Sequence, residues 1–339
     1  MKIAILGPVI TDKYLGGVAT FDEALVEGFE KLGHQVLIFS SQKGLVANKR
    51  LTIKQMKKSE MAEAVNNEKV DLTIASLQYG MILKKIHTGR KIYFLHGFFN
   101  VQSYGIVKTL AATTLTKQMT DNADYVIANS SFTAAVNQRI WNISVDGISH
   151  LGVDDDFIEK VIPTAKRNSD ELKKILYVGR LAVSKHVERV IKAVALLEPS
   201  FYELIIAGDG PERVKIEKLA RDLKVNVRFL GRVEHDKIAE LYKKCGTFIS
   251  LCESEPYGLT YAEALLAGCK IVCPVTGGQV EFLMNYPDRV SFVDVLDIRS
   301  IADGIKKSVN SGNVEVDEGM VQKFRYLETA KKIIEISDR

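Results

Sequence analysis

Short apolar runs alternate with amphipathic patterns of helical period along the whole chain. In the first half, runs that predict strands lie near 2–6, 35–39, 70–75, 91–95, 124–128 and 145–150. In the second half they lie near 174–178, 203–207, 226–230, 247–251, 270–273 and 290–293. Strands that alternate with helices are typical of parallel sheets with helices on both faces. The pattern therefore predicts an α/β fold.

Length and composition suit a soluble protein of two domains. A chain of 339 residues is long for one hydrophobic core, and 46% hydrophobic and 26% charged residues are ordinary for a globular protein. No apolar run approaches the ~18 residues that predict a transmembrane helix. The N-terminal MKIAILGPVI continues into a patterned helix, so we interpret it as a strand and not as a signal peptide. We expect a cytoplasmic protein whose polar segment IPTAKRNSDELKK links the domains.

Net charge argues against a nucleic-acid-binding protein, and cysteine spacing argues against a cysteine-based metal or redox site. A formal net charge of +4 is too small to indicate nucleic-acid binding, and no aromatic and basic motif accompanies it. The cysteines lack C-x-x-C spacing and a clustered histidine, and most fall on predicted strands. We expect reduced, largely buried thiols at all of them: Cys245, Cys252, Cys269 and Cys273.

The segment GTFISLCESEPYGLTYAEALLAGCKIV carries the clearest candidate chemistry. It places Glu255 and Glu263 eight positions apart around the start of a helix, which spans about 12 Å at about 1.5 Å per residue. Ligands bind at the carboxyl ends of strands in open α/β sheets, and a helix N-terminus attracts phosphate. The alternative is an acidic first turn favoured by the helix dipole alone.

Two other segments supply groups suited to a diphosphate. KILYVGRLAVSKHVERV places Arg180 and Lys185 in a turn after a strand, where they bind phosphate or are merely solvated. The loop GPVITDKYLGG holds Gly16 and Gly17, whose lack of a Cβ lets backbone approach a phosphate. That loop is not a G-x-G-x-x-G fingerprint, so the sequence gives little support to a dinucleotide-binding dehydrogenase.

The second-half segments, in order and spacing over roughly 170–285, resemble the retaining glycosyltransferases of family four, or glycosyl transferases group 1, and the glycine loop of the first half completes the resemblance. The resemblance implies a GT-B fold, in which two Rossmann-like domains face each other across a deep cleft. It implies an acceptor-binding domain over 1–162 and a nucleotide-sugar-binding domain over 171–320. The C-terminal helix, at about 321–339, should cross back to the first domain.

The resemblance also implies roles for individual residues. Glu263 should hold the ribose hydroxyls, Glu255 should position the sugar, and His96 at the end of KIYFLHGFF should contact that sugar on its acceptor side. A lone histidine there could otherwise be a cap or a core residue. The catalytic candidates are His96, Glu255, Arg180 and Lys185. The donor-binding candidates are Gly16, Gly17, Gly179, Arg180, Lys185, Gly231, Arg232, Val233, Glu255, Tyr257, Gly258, Leu259, Thr260 and Glu263.

Two details qualify the resemblance. Asp154, Asp155 and Asp156 could suggest a divalent cation, but they follow Gly152 where the family has a turn, so we expect a helix cap and no metal. His186 stands where the family often has glycine, which bears on how closely backbone approaches phosphate there.

The expected function is transfer of a sugar, with retention, from a nucleotide diphosphate sugar to a hydroxyl acceptor. A UDP-sugar is favoured over GDP-mannose, no cofactor is expected, and cell-surface polysaccharide or glycolipid assembly is the expected setting. The alternatives are a GT-B sugar-nucleotide epimerase and a noncatalytic nucleotide-sugar-binding protein. Basic clusters in the first domain are either solvated faces or a peripheral dock on the inner face of the membrane: Lys49, Arg50, Lys54, Lys57, Lys58, Lys84, Lys85, Arg90 and Lys91.

Overall fold

The computed structural model describes residues 1–11, 17–44, 51–162, 166–198 and 201–339. The chain forms two compact units. The first consists of Met1–Gly152 together with Lys323–Arg339, and the second consists of Val153–Gln322.

The first unit is built on a parallel sheet. Its described residues form seven strands in the order β3-β2-β1-β4-β5-β6-β7. Most are buried apolar runs, because helices cover both faces of a parallel sheet. The strands are β1 (Lys2–Leu6), β2 (Gln35–Ser40), β3 (Ile53–Gln55), β4 (Leu72–Ser76), β5 (Arg90–Leu95), β6 (Tyr125–Ala128) and β7 (Gly147–Ile148). The helices are α1 (Gly17–Lys31), α2 (Lys58–Glu68), α3 (Val101–Tyr104), α4 (Ile106–Thr120) and α5 (Ser131–Trp141), with a 3₁₀ helix at Leu77–Lys85.

The second unit repeats this architecture. Within the described chain its parallel sheet has six strands in the order β10-β9-β8-β11-β12-β13. They are β8 (Lys174–Val178), β9 (Glu203–Ala207), β10 (Val227–Gly231), β11 (Thr247–Ile249), β12 (Lys270–Pro274) and β13 (Val290–Val293). The helices are α6 (Asp155–Val161), α7 (Ser169–Leu172), α8 (Val187–Val194), α9 (Arg213–Asp222), α10 (His235–Lys243), α11 (Leu259–Leu266), α12 (Val280–Leu283), α13 (Ile298–Asn310) and α14 (Glu318–Lys323). Short 3₁₀ helices lie at Val183–Lys185 and Pro287–Arg289.

The last helix, α15 (Tyr326–Ser337), belongs to the first unit and packs against α1. The approach is close at Gly28, where a Cβ would lie 2.4 Å from the carbonyl oxygen of Tyr326. Thr329 adds two hydrogen bonds, since its Oγ1 donates to the His150 carbonyl (2.9 Å) and its carbonyl accepts from Ser149 Oγ (3.1 Å). The predicted return of the C-terminal helix to the N-terminal part of the chain is confirmed.

Each predicted strand overlaps an observed one, and the predicted parallel α/β architecture is confirmed. No apolar run predicts β3, an edge strand of three residues in which only Ile53 is apolar. The four cysteines are buried and free, as expected.

Candidate functional site

Three loops at the carboxyl ends of neighbouring strands in the second unit are held together by backbone contacts. The Gly179 N–H, after β8, donates to the Ala207 carbonyl at 3.0 Å. The Gly208 N–H, after β9, donates to the Gly231 carbonyl at 2.7 Å. Gly208 has φ +151°, and a Cβ on it would lie 1.8 Å from the Gly179 carbonyl oxygen. Only glycine permits this close approach, which fixes the loop that carries Arg180.

The predicted diphosphate lysine contacts the predicted sugar carboxylate. Lys185 Nζ lies 2.6 Å from Glu255 Oε2, and the two side chains are 26% and 19% exposed. Burial lowers the pKa of Lys185, but the neighbouring Glu255 carboxylate outweighs it, and the net shift is upward. Lys185 is therefore held as a cation. The carbonyl of Glu255 accepts from the Gly278 N–H at 2.8 Å, which fixes the loop from which its side chain projects.

Two arginines at the same edge of the sheet are open to a ligand. Arg180 and Arg232 are both exposed. Among the described residues, neither guanidinium has a hydrogen-bond or ion-pair partner. Arg232 follows Gly231, whose φ of +68° is in the left-handed region that favours glycine, and Val233 beside it is half-buried.

His186 keeps the backbone conformation that a glycine would adopt. It has φ 51° and ψ 35°, a left-handed conformation at the start of α8. Its ring nitrogens Nδ1 and Nε2 each lie 3.7 Å from a carboxylate oxygen, of Glu188 and Glu253 respectively. The left-handed turn after Lys185 is thus made by a histidine that has carboxylates on two sides.

Helix α11 presents backbone amides at its start. Gly258, with φ +95°, precedes it and supplies no side-chain cap, and Leu259 and Thr260 form the first turn. A Cβ at Gly258 would lie 2.7 Å from the Tyr261 ring, so the position requires glycine. Tyr257 is buried against Phe282, with ring centroids 5.2 Å apart, so its ring belongs to the core rather than to a ligand surface.

Glu263, on the second turn of α11, is held by two residues that the sequence analysis did not identify. The buried Tyr242 Oη donates to its Oε2 at 3.0 Å, and His235 Nε2 lies 3.5 Å from its Oε1. His235 in turn stacks on Phe157, with ring centroids 4.3 Å apart. The Glu263 side chain is only 12% exposed, so its carboxylate is oriented before any ligand arrives. No motif marks Tyr242 or His235, because both reach Glu263 from another helix.

The aspartate triplet is a helix cap, as predicted. Asp154 Oδ1 accepts from the Phe157 N–H at 3.0 Å at the start of α6, and Asp155 and Asp156 lie in its first turn. Within the part of the chain that the structure describes, no group of three or more His, Cys, Asp or Glu side chains could hold a metal ion.

In the first unit, His96 follows β5, as predicted, and is half-buried. Its Nε2 lies 2.9 Å from Ser76 Oγ, which donates to Asp22 Oδ1 at 2.7 Å. Burial lowers the pKa of His96 to about 3, so its imidazole is neutral at physiological pH. Gly17 begins α1 with open space around it, whereas Gly16 lies outside the described residues. Asp22 and Ser76 were not predicted as site residues, because no sequence motif marks them.

The candidate site of the second unit lies in a part of the chain that matches a known protein family. Residues 159–324 match the family described as glycosyl transferases group 1. This part of the chain belongs to that family. All of the second-unit candidates, from Gly179 to Glu263, lie within the group 1 region, so the resemblance predicted from their motifs is confirmed.

Two curated proteins that are similar to this chain are glycosyltransferases by name. The chain is 38% identical to an uncharacterized glycosyltransferase of Methanocaldococcus jannaschii over 34% of its own length and 30% of that protein. It is 30% identical to a GDP-mannose-dependent alpha-mannosyltransferase of Mycolicibacterium smegmatis over 52% of its own length and 46% of that protein. The chain thus spans less than half the length of these two relatives.

The similarity to solved structures covers the whole chain and not only the group 1 region. Anabaena HepE, solved in complex with UDP, is similar with a TM-score of 0.78 and 16% identity, covering 99% of both chains. The predicted GT-B fold of Rossmann-like sheets is confirmed. Among the helices that the structure describes, none has the length and hydropathy needed to cross a bilayer.

Proposed function

We propose that this protein is a retaining glycosyltransferase that moves a sugar from a nucleotide diphosphate sugar to a hydroxyl acceptor. The observation that carries the proposal is the arrangement of the group 1 region, where the open amides of α11 accompany the Lys185 and Glu255 pair and the unpaired Arg180. A UDP-sugar is favoured, in keeping with the UDP bound to the similar HepE, and GDP-mannose is the other candidate, in keeping with the name of the mycobacterial relative.

Each group suits one part of such a donor. Glu263, held by Tyr242 and His235, offers acceptor oxygens to the ribose hydroxyls. The diphosphate is bound by the side chains of Arg180 and Lys185 and by backbone at Gly17. Glu255 and the amides near Gly258 and Leu259 position the sugar. The proposal extends the donor site to the neighbouring residues Gly179, Gly231, Arg232, Val233, Tyr257 and Thr260, where Tyr257 would contribute backbone only.

The chemistry follows from this distribution of charge. The departing diphosphate gains negative charge, which preorganised cations and helix amides stabilise without a metal or cofactor. No residue stands out as a covalent nucleophile, so we propose reaction on one face of the sugar, with the leaving phosphate helping to deprotonate the acceptor. His96 contacts the sugar on its acceptor side as a neutral imidazole.

A donor screen tests the function. A ligand that binds only the folded state stabilises it by about 2.7 kcal/mol at a concentration one hundred times its Kd. We expect one class of nucleotide sugar to raise the melting temperature and to be consumed when an acceptor is added, with product in the anomeric configuration of the donor. Conversion of the donor without acceptor would indicate an epimerase, binding without turnover a noncatalytic protein, and an inverted product would contradict retention.

Two substitutions and a matched control test the diphosphate contacts. Arg180→Ala and Lys185→Ala should each lower donor turnover by roughly tenfold or more, because charge-assisted hydrogen bonds contribute about 1.5 to 3 kcal/mol. Arg221→Ala removes an exposed arginine of the same unit from α9, outside these loops, and should leave turnover unchanged. Normal kinetics in both test variants would remove these residues from the proposed site.

The surface of α4 supports peripheral contact with a membrane, with the protein located in the cytoplasm. This helix buries threonines, Thr109, Thr113 and Thr116 among them, and exposes Val107 and Leu110, the reverse of the usual pattern. Its only charged residues are lysines, and residues 97–120 contain no acidic residue. Apolar side chains with adjacent lysines suit an anionic lipid surface.

Three described residues of the predicted basic clusters form ion pairs within the first unit. Lys54 pairs with Glu68, Arg90 with Asp338 and Lys91 with Asp124. Lys49 and Arg50 lie outside the described residues.

Cosedimentation with anionic and neutral vesicles tests the membrane contact. Val107→Asp should weaken binding to anionic vesicles. Val214→Asp changes a similarly exposed valine of α9 in the second unit and should not. Equal binding by both variants would remove α4 from the proposal.

A further inference from the structure

A chain of hydrogen bonds leads from a fully buried carboxyl group to the candidate sugar-binding histidine. Asp22 on α1 has no exposed surface, and Ser76 at the end of β4 is equally buried. Ser76 Oγ donates to Asp22 Oδ1 at 2.7 Å and lies 2.9 Å from His96 Nε2. These residues come from separate elements of the first unit, so the tertiary fold brings the hydrogen-bonded groups together.

The number of hydrogens that Asp22, Ser76 and His96 carry determines which group donates in each of these hydrogen bonds. A serine hydroxyl has one hydrogen, and Ser76 donates it to Asp22. Its oxygen can then only accept from His96, so Nε2 must carry the imidazole hydrogen. Nδ1 is left as an acceptor. If Asp22 instead carried a proton on Oδ1, its O–H would donate to Ser76, the serine would donate to Nε2, and Nδ1 would carry the imidazole hydrogen.

The surroundings hold these groups in place. The His96 ring packs against both Phe21 and Phe94, at centroid distances of 4.7 and 4.9 Å. Gly7 leaves room for the carboxyl group, because a Cβ there would lie 1.8 Å from Asp22 Oδ2. Among the described residues, His96 Nδ1 forms no hydrogen bond, so it is the remaining polar atom that the ring offers to a ligand.

We propose that Asp22 and Ser76 are positioning residues that hold His96 in the Nε2–H tautomer while Asp22 is ionised. His96 Nδ1 then accepts a hydrogen bond from a hydroxyl of the bound sugar. The identity of that ligand rests on the proposed function, whereas the tautomer does not.

Nitrogen-15 NMR of histidine-labelled protein without ligand tests the tautomer, at alkaline pH where the protein stays folded. His96→Gln identifies the His96 signals among those of the six histidines. We expect the wild type to show a single Nε2–H tautomer and Ser76→Ala to show a mixture of both. Thr73→Val removes another buried hydroxyl of β4, one without a hydrogen-bond partner among the described residues, and should match the wild type. An Nδ1–H tautomer in the wild type would overturn the proposal even if Ser76→Ala failed to fold, and so would a Ser76→Ala spectrum equal to that of the wild type.

Kinetics then separate this proposal from the proposed function. Ser76→Ala should lower kcat by about tenfold, the effect of one hydrogen bond, with the Kd for the nucleotide unchanged. Ser76→Thr, which keeps the hydroxyl, should restore both kcat and the single tautomer. An unchanged kcat with a mixed tautomer would overturn the contact with the sugar. A wild type that transfers no sugar would instead count against the proposed function and leave the NMR result standing.

Discussion

Two charged residues of the candidate donor site, Lys185 and Glu255, neutralise one another across 2.6 Å. The pair is partly buried, so separating it without compensation leaves a poorly solvated charge on each side. A diphosphate would supply that compensation to Lys185 and release Glu255 to the hydroxyls of the sugar. In the proposed donor site, the pair would thus couple binding of the leaving group to positioning of the sugar.

The two glutamates of the motif should respond differently to substitution. Glu263 is proposed to bind the ribose, which does not react, so Glu263→Gln should chiefly raise KM. Glu255 is proposed to lie by the reacting sugar, so Glu255→Gln should chiefly lower kcat. Steady-state kinetics with the matched donor and acceptor measure both, and a Glu263→Gln effect confined to kcat would mean that the donor is bound in the opposite orientation.

The buried carboxyl group of Asp22 should make stability depend on pH. Burial raises the pKa of Asp22 well above its usual value, against the hydrogen bond from Ser76, and nearby Glu23 raises it further. Between the unfolded pKa of about 3.9 and the raised value, the folded state binds more protons, so stability falls as pH rises. The lowered pKa of His96 has the opposite effect, because it makes stability rise with pH. Only a comparison between variants therefore isolates the contribution of Asp22.

Asp22→Asn removes the ionisable group and is the variant for that comparison. Its stability relative to the wild type should increase as pH rises through this window, measured as urea midpoints over a pH series. Parallel curves for the two proteins would show that Asp22 does not titrate in that range.

At the scale of elements, the contact between α1 and α15 depends on one glycine. Gly28→Ala would place a methyl group 2.4 Å from a backbone oxygen of Tyr326, which cannot move without shifting α15. We expect a loss of about 1 to 3 kcal/mol in the free energy of unfolding. Gly17→Ala is the control for stability, since a Cβ there meets nothing within 4 Å, and it should not destabilise the protein. Equal melting temperatures for both variants would contradict the close packing.

The elements themselves were largely predictable, because buried parallel strands form apolar runs that local sequence shows directly. The edge strand β3 was not, since its pairing with β2 and not its composition makes it a strand. The site shows the same difference between features that local sequence reveals and features that depend on tertiary contacts. Glu255 and Glu263 stand out by spacing, but the contacts of Glu255 with Lys185 and of Glu263 with Tyr242 join separate elements. Such pairs arise from tertiary structure and leave no local pattern.

For the molecule as a whole, the proposed reaction should not require a metal ion. In the proposed site, Arg180, Lys185 and the amides of α11 would supply positive charge to the diphosphate, and Asp154 is committed to capping α6. Saturating EDTA should leave transfer activity largely intact once a donor is identified. Complete loss that manganese or magnesium restores would contradict this expectation and give the aspartate triplet a catalytic role.

The return of α15 to the first unit bears on how the protein forms during translation. Residues 1–152 leave the ribosome before the second unit, yet the helix that covers α1 is synthesised after it. The second unit is continuous from Val153 to Gln322 and can complete its core as soon as it has emerged. Domains usually fold in the order of their synthesis. Here the unit that begins first is completed after the second, and the side of α1 that packs against α15 stays uncovered until α15 has been synthesised.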